Sequence, residues 1–174
     1  MNLPRARRTN KGVSGDAEFS EYFAARVQRF RRVAFALCGD WYAAEDLVQT
    51  MFVQLYRRWR RVRPGTVDAY ARRILLNLFL AGRRGYGREY VTSSVPERES
   101  PPSRDTSLRL DVERALADLT PRQRAMVVLR FLEDLPVSEV AALLGVAEGT
   151  VKSQTARGVE ALRAVLPAPT TEES

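Results

Sequence analysis

Residues 135–166 read Leu-Pro-Val-Ser-Glu-Val-Ala-Ala-Leu-Leu-Gly-Val-Ala-Glu-Gly-Thr-Val-Lys-Ser-Gln-Thr-Ala-Arg-Gly-Val-Glu-Ala-Leu-Arg-Ala-Val-Leu. The stretch predicts a helix-turn-helix. Ala141 is small where two helices cross closely, and Gly145 stands where the turn needs a residue tolerant of positive φ. Val151 plugs the core from the second helix, and Val140, Leu144 and Val146 supply the remaining apolar contacts. Thr150, Lys152, Ser153, Gln154 and Arg157 then face outward. Hydroxyl, amide and cationic groups of this kind suit phosphates and base edges in a major groove. The alternative is an ordinary pair of antiparallel helices with a solvated polar face. The small-residue, turn and plug positions agree at once, which favours the DNA-binding reading.

Outward from that stretch, charge is uneven. Residues 1–90 carry 18 basic and 8 acidic side chains, and residues 91–174 carry 10 basic and 13 acidic, within a chain of net charge +7. A first half of net +10 points to a polyanion partner. Lysine occurs only at Lys11 and Lys152, so arginine supplies the planar donors that suit phosphate. Histidine is absent, which removes imidazole bases and imidazole metal ligands. Cys38 is the one cysteine, so neither an internal disulfide nor a thiolate cluster can form. It reads as a buried packing residue or a redox site. No metal or cofactor is expected. No apolar run reaches membrane-spanning length and the N-terminus lacks the apolar core of a signal peptide, so no membrane insertion and a cytoplasmic location are expected.

The fold class expected is all-α, with two helical domains joined by a flexible linker. Residues 1–15 are basic and poor in apolar side chains, and read as a disordered arm. Residues 16–84 form the first domain. Phe19, Tyr22, Phe23, Val27, Phe30, Val33, Ala34 and Leu37 recur at helical spacing up to Gly39-Asp40. Ala44, Leu47, Val48, Met51, Leu55 and Trp59 make a second stripe, and a third helix after Pro64-Gly65 runs to about Gly82. Residues 85–107 lack a period and read as a linker, whose 23 residues span at most ~75 Å when extended. Residues 108–166 form the second domain. Thr120-Pro121 with Gln123 predicts a capped helix start, and the helix it opens is expected to run through Leu132. Residues 167–174 form a tail.

Three local motifs now carry a resemblance. Ala44-Glu45-Asp46-Leu47-Val48-Gln49-Thr50-Met51-Phe52 is similar to the conserved region 2.2 helix of bacterial extracytoplasmic-function (ECF) sigma factors, of the sigma-70 family. Arg73-Ile74-Leu75-Leu76-Asn77-Leu78 resembles its region 2.4. Leu119-Thr120-Pro121-Arg122-Gln123-Arg124, followed by Gly145-Val146-Ala147-Glu148-Gly149-Thr150-Val151-Lys152-Ser153, resembles regions 4.1 and 4.2. The likeness covers about residues 16–166, with the motifs in the family's order.

The resemblance implies a sigma-2-like and a sigma-4-like domain that bind core RNA polymerase, direct it to promoters and nucleate melting. Asp46, Gln49, Thr50, Phe52 and Tyr56 match positions that dock on the clamp of the largest catalytic subunit, with Thr50 standing where glutamate is usual. Phe52 has core packing as its alternative. Trp59, Arg72, Arg73, Asn77, Arg83 and Arg84 are implied at the −10 element, with Asn77 at the position that reads the non-template strand. Tyr70, Phe79 and Tyr86 are further stacking candidates, although periodicity favours the core for Phe79. Thr150, Lys152, Ser153 and Arg157 are implied at the −35 element. Pro136 and Ala147 stand where the family often has serine, so both helices of the motif start without a side-chain cap. The implied partners are core polymerase, through its clamp and flap, and promoter DNA, and an anti-sigma factor has room as a third. Two promoter elements roughly 50–70 Å apart lie within the linker's reach.

Two other functions compete. A LuxR-type regulator has a similar Leu-Thr-Pro-Arg start and Gly-Thr-Val-Lys helix, and would bind duplex DNA as a dimer. It needs a sensory domain upstream, and the basic helical first half offers no strand pattern for one. An enzyme is not expected. Glu45-Asp46 and Glu133-Asp134 are adjacent pairs that diverge by about 100° on a helix, and no phosphate-binding glycine loop is present.

Overall fold

A computed structural model of the chain describes residues 10–85 and 104–165, with side chains within 15–82 and 109–164. Among them all regular structure is helical. The first lobe holds α1 (Asn10–Cys38), α2 (Trp41–Arg58) and α3 (Val67–Gly85), with two short 3-10 turns between α2 and α3. The second holds α4 (Arg104–Asp118), α5 (Pro121–Val127), α6 (Val137–Leu144) and α7 (Glu148–Val165). Helix α1 begins inside the stretch expected as an arm, and α4 begins inside the expected linker. Most of the expected linker and the tail lie outside the described residues. No described helix is long and apolar enough to cross a membrane.

Local chemistry sets the boundaries. Asp40 caps α2 by accepting from the Ala43 N–H at 2.8 Å. Thr120 and Gln123 form the expected reciprocal box at the start of α5, with Pro121 in its first turn. That box satisfies two amides which otherwise lack partners at a helix start. Beyond Val127 the helix does not run on as α-helix to Leu132, as its periodicity suggests. Residues Val128–Leu132 form a π-helical turn, in which the Glu133 N–H reaches back to the Val128 carbonyl at 3.1 Å. Asp134 follows with φ +51, a left-handed conformation that a short polar side chain tolerates.

The first lobe is built on α1, α2 and α3. Phe30, Leu37, Met51, Leu55, Leu75 and Leu76 are fully buried there. Phe52 sits among rings, with centroids 4.7 Å from Phe23, 5.9 Å from Phe30 and 6.3 Å from Phe19, all near edge-to-face. In the second lobe Met126, Leu129, Val140 and Val151 fill the space between α5, α6 and α7.

The two lobes share one continuous apolar core. Polar contacts tie them further. Arg124 of α5 is 3% exposed and donates to the Leu37 carbonyl at the end of α1, at 2.8 Å. Glu133 is buried and accepts from Arg29 of α1 at 2.7 Å and from Arg72 of α3 at 2.8 Å. The two helical domains expected on either side of a linker thus also pack directly against one another.

Candidate nucleic-acid interface

Helix α2 buries Ala44, Val48, Met51, Phe52 and Leu55. Its opposite side leaves Tyr42, Asp46, Gln49, Val53 and Tyr56 exposed. The spacing of three and four residues stacks these five in one row. Tyr42 is 76% exposed, and Val53 and Tyr56 about half. An open apolar and polar row of this kind fits a helical partner. Tyr56 donates to Asp16 of α1 at 3.1 Å, and that bond raises its pKa. Of the residues expected to dock, Asp46, Gln49 and Tyr56 lie in the row and Thr50 is half-buried beside it. Phe52 points the other way, into the aromatic cluster.

Helix α3 separates its arginines. Arg73, Asn77 and Ala81 are exposed at i, i+4 and i+8, on one face. Arg83 and Arg84 close the helix, and their side chains lie outside the described ones. Tyr86 lies outside the described residues altogether. Arg72 does not share the Arg73 face. It is 9% exposed and is held by Glu133 and by Glu139, the latter at 3.3 Å. Trp59 packs its ring 5.2 Å from Phe19 and 5.3 Å from Tyr22, so it sits half-buried at the edge of the aromatic cluster. Phe79 is core, as its periodicity predicts. Tyr70 is likewise half-buried, and Arg58 donates to its hydroxyl at 3.0 Å. Together with Arg61, Arg63 and Thr66 these two line a hollow of about 560 Å³.

The helix-turn-helix follows the expectation closely. Gly145 ends α6 with φ +63, Val140 and Val151 are fully buried, and Ala141 lies at the crossing. Pro136 makes no side-chain cap. At the start of α7, the Thr150 and Val151 amides bond the Ala147 carbonyl. Thr150, Lys152, Ser153, Ala156 and Arg157 are exposed. Gln154 is instead half-buried and accepts from Gln123 Nε2 at 2.8 Å, which fixes α7 against the start of α5. Periodicity alone did not single out Gly158, where α7 meets Val127 and Leu119.

A basic helical lobe packed against a lobe that bears a helix-turn-helix defines the class, a DNA-binding protein. Comparison with known proteins makes the class specific. Residues 23–89 match Sigma-70 region 2, and residues 109–162 match Sigma-70, region 4. The chain is 36% identical to the RNA polymerase sigma-E factor of Streptomyces coelicolor over 156 residues, covering 84% of each chain. It is also 36% identical over 154 residues to the ECF RNA polymerase sigma factor SigE of Mycolicibacterium smegmatis, covering 83% of this chain and 60% of that longer one. Among solved structures it resembles the sigma factor RpoE of Bartonella quintana, determined with the anti-sigma factor NepR. The TM-score is 0.69 and the identity 29%, over 85% of this chain and 96% of that one. The chain belongs to the ECF group of sigma-70 family sigma factors. The LuxR-type alternative finds no support.

Proposed function

We propose that this chain binds core RNA polymerase through the exposed row of α2, carries it to promoters and starts strand separation. The observation that carries the reading is the row itself: Tyr42, Asp46, Gln49, Val53 and Tyr56 lie open along the helix. Asp46, Gln49, Thr50 and Tyr56 contact the polymerase clamp, while Phe52 supports the row from inside. At the −10 element Asn77 pairs with a base edge, and Arg73, Arg83 and Arg84 hold phosphates. The hollow around Tyr70 takes an unpaired base by stacking, with Arg58, Arg61 and Arg63 at its rim. Capturing a base outside the stack drives melting with binding energy alone. Thr150, Lys152, Ser153 and Arg157 contact the −35 element from the start of α7, where the helix dipole favours phosphate. The second lobe engages the polymerase flap.

The chain performs no bond chemistry in this reading, which places it with the polymerase on the bacterial nucleoid. Resemblance to a sigma factor solved with its anti-sigma factor supports a protein antagonist as a third partner. Run-off transcription with sigma-free core polymerase and a promoter library tests the proposal. Transcripts that depend on the added chain are expected. Absence of both transcripts and co-elution with core polymerase overturns it.

A further inference from the structure

Along α7, Lys152, Ala156, Val159 and Arg163 fall three and four residues apart and share one face of the helix. With the π-helical turn and the start of α6, that face walls an open groove of about 580 Å³. The lining is apolar at Phe131, which is 62% exposed, and at Val137, Ala156 and Val159. Three cations, Arg130, Lys152 and Arg163, stand around it against the single carboxylate of Glu160. Among the described residues none of the three forms an ion pair. A basic groove thus stands in the half of the chain that carries a net negative charge. Thr155, 8% exposed, lines the same groove, and its buried hydroxyl finds no hydrogen-bond partner among the described residues. A buried hydroxyl left unpaired costs free energy that an incoming polar group can recover.

We infer that this groove seats the chain's own acidic segment, residues 166–174, folded back along α7. That segment reads Leu166-Pro167-Ala168-Pro169-Thr170-Thr171-Glu172-Glu173-Ser174 and carries no basic side chain. Its order suits the groove as read backward from the end of α7. Four apolar residues come first, for the apolar wall at Val159 and Ala156, and the two glutamates follow, for Lys152 and Arg130. The reach agrees. From Val165 back to Lys152 the helix measures about 20 Å. Seven residues from Val165 to Glu172 cover about 22 Å at about 3.1 Å each, the extended form that Pro167 and Pro169 favour. Each ion pair at an exposed rim is weak. The short tether offsets that weakness, because it holds the acids near the groove at an effective concentration of roughly millimolar. Lys152 also belongs to the proposed −35 set, so a seated segment competes with duplex DNA for it. That consequence alone rests on the promoter reading.

Paramagnetic relaxation in NMR spectra tests the dock, with a nitroxide label on Ser174→Cys in a full-length Cys38→Ser chain. Amide signals of Lys152, Ala156, Val159 and Arg163 are expected to broaden more than those of Ser153, Arg157, Ala161 and Ala164, which lie on the other exposed side of α7. Glu172→Gln together with Glu173→Gln should cut that contrast roughly two- to tenfold, since it removes two exposed ion pairs. Salt at about 0.5 M should act in the same direction. Equal broadening on both sides of the helix, or a contrast that ignores the two glutamates, overturns the inference. So does a contrast that passes from a spin-labelled chain to a separate isotope-labelled one, because the groove then holds the segment of a second copy. For the consequence, the double glutamine variant should bind a fluorescein-labelled duplex roughly two- to tenfold more tightly. Adding Lys152→Gln should erase that gain, whereas a gain that survives comes from general charge repulsion and overturns the competition. A seated segment with no gain at all tells against Lys152 as a DNA contact and leaves the dock standing.

Discussion

Gly158 sits on the inner side of α7, where a Cβ built on its backbone falls 2.6 Å from a Val127 methyl and 3.5 Å from Leu119 Cδ1. Helix propensity alone says that alanine at a helical glycine gains roughly 0.5–1 kcal/mol. Here overpacking opposes it, at about 1–3 kcal/mol. Val127 is buried and β-branched, so it has little freedom to yield, and the clash wins. Gly158→Ala is expected to lower the urea midpoint, and a higher midpoint would refute the close crossing. Two further substitutions separate the proposed surfaces. Asn77→Ala removes the proposed bidentate base contact, worth about 1–3 kcal/mol, so open-complex formation should fall roughly tenfold or more while affinity for core polymerase holds. Equal loss of both counts against the assignment. Asp46→Ala should do the reverse, weakening core binding by about two- to tenfold as contacts outside the interface centre do. Unchanged affinity removes Asp46 from the dock.

At the scale of elements, the missing caps make a direct test. Ala147 offers no side-chain oxygen at the start of α7, and only its carbonyl serves the Thr150 and Val151 amides. Ala147→Ser is expected to stabilise the chain by about 0.5–2 kcal/mol, read as a higher thermal midpoint. No change would mean that this end of α7 is already satisfied. Features like these were legible in the sequence because they are local. The Thr120–Gln123 box, the left-handed Gly145 and the buried Val140 and Val151 each follow from residues a few positions apart. The resemblance also named Asp46, Gln49 and Tyr56, which lie on the open side of α2. What stayed hidden depends on distant partners. Arg29 and Glu133 meet across 104 positions, and Arg72 and Glu133 across 61. A run of arginines therefore looked uniform, although Arg73 faces solvent and Arg72 faces a carboxylate. The ring neighbours of Trp59 were hidden for the same reason: Phe19 and Tyr22 come from another helix. The π-helical turn that ends at Glu133 has no periodic signature of its own.

Over the whole molecule the charges form one connected string, and Asp68 is its anchor in the first lobe. Its carboxylate accepts from the Tyr22 hydroxyl at 2.9 Å and from Arg26 at 3.2 Å. Burial pushes the Asp68 pKa up, but the bonds from Tyr22 and Arg26 and the nearby arginine charges outweigh it and hold the group below its ordinary 3.8. A carboxyl depressed in the folded state contributes stability that is complete above the unfolded value and is lost as pH falls through the folded one. Asp68→Asn keeps an acceptor for Tyr22 but has no charge to titrate. The wild-type chain should therefore be the more stable of the two by a constant margin from neutral pH down to about pH 5. Below about pH 4 that margin should shrink, because the wild-type carboxyl is then taking up its proton. Urea unfolding of both chains across this range checks the expectation. Other carboxylates titrate in both chains alike, so the difference between the two midpoints isolates Asp68. A margin that stays constant into strong acid would show that the charge on Asp68 does not stabilise the string.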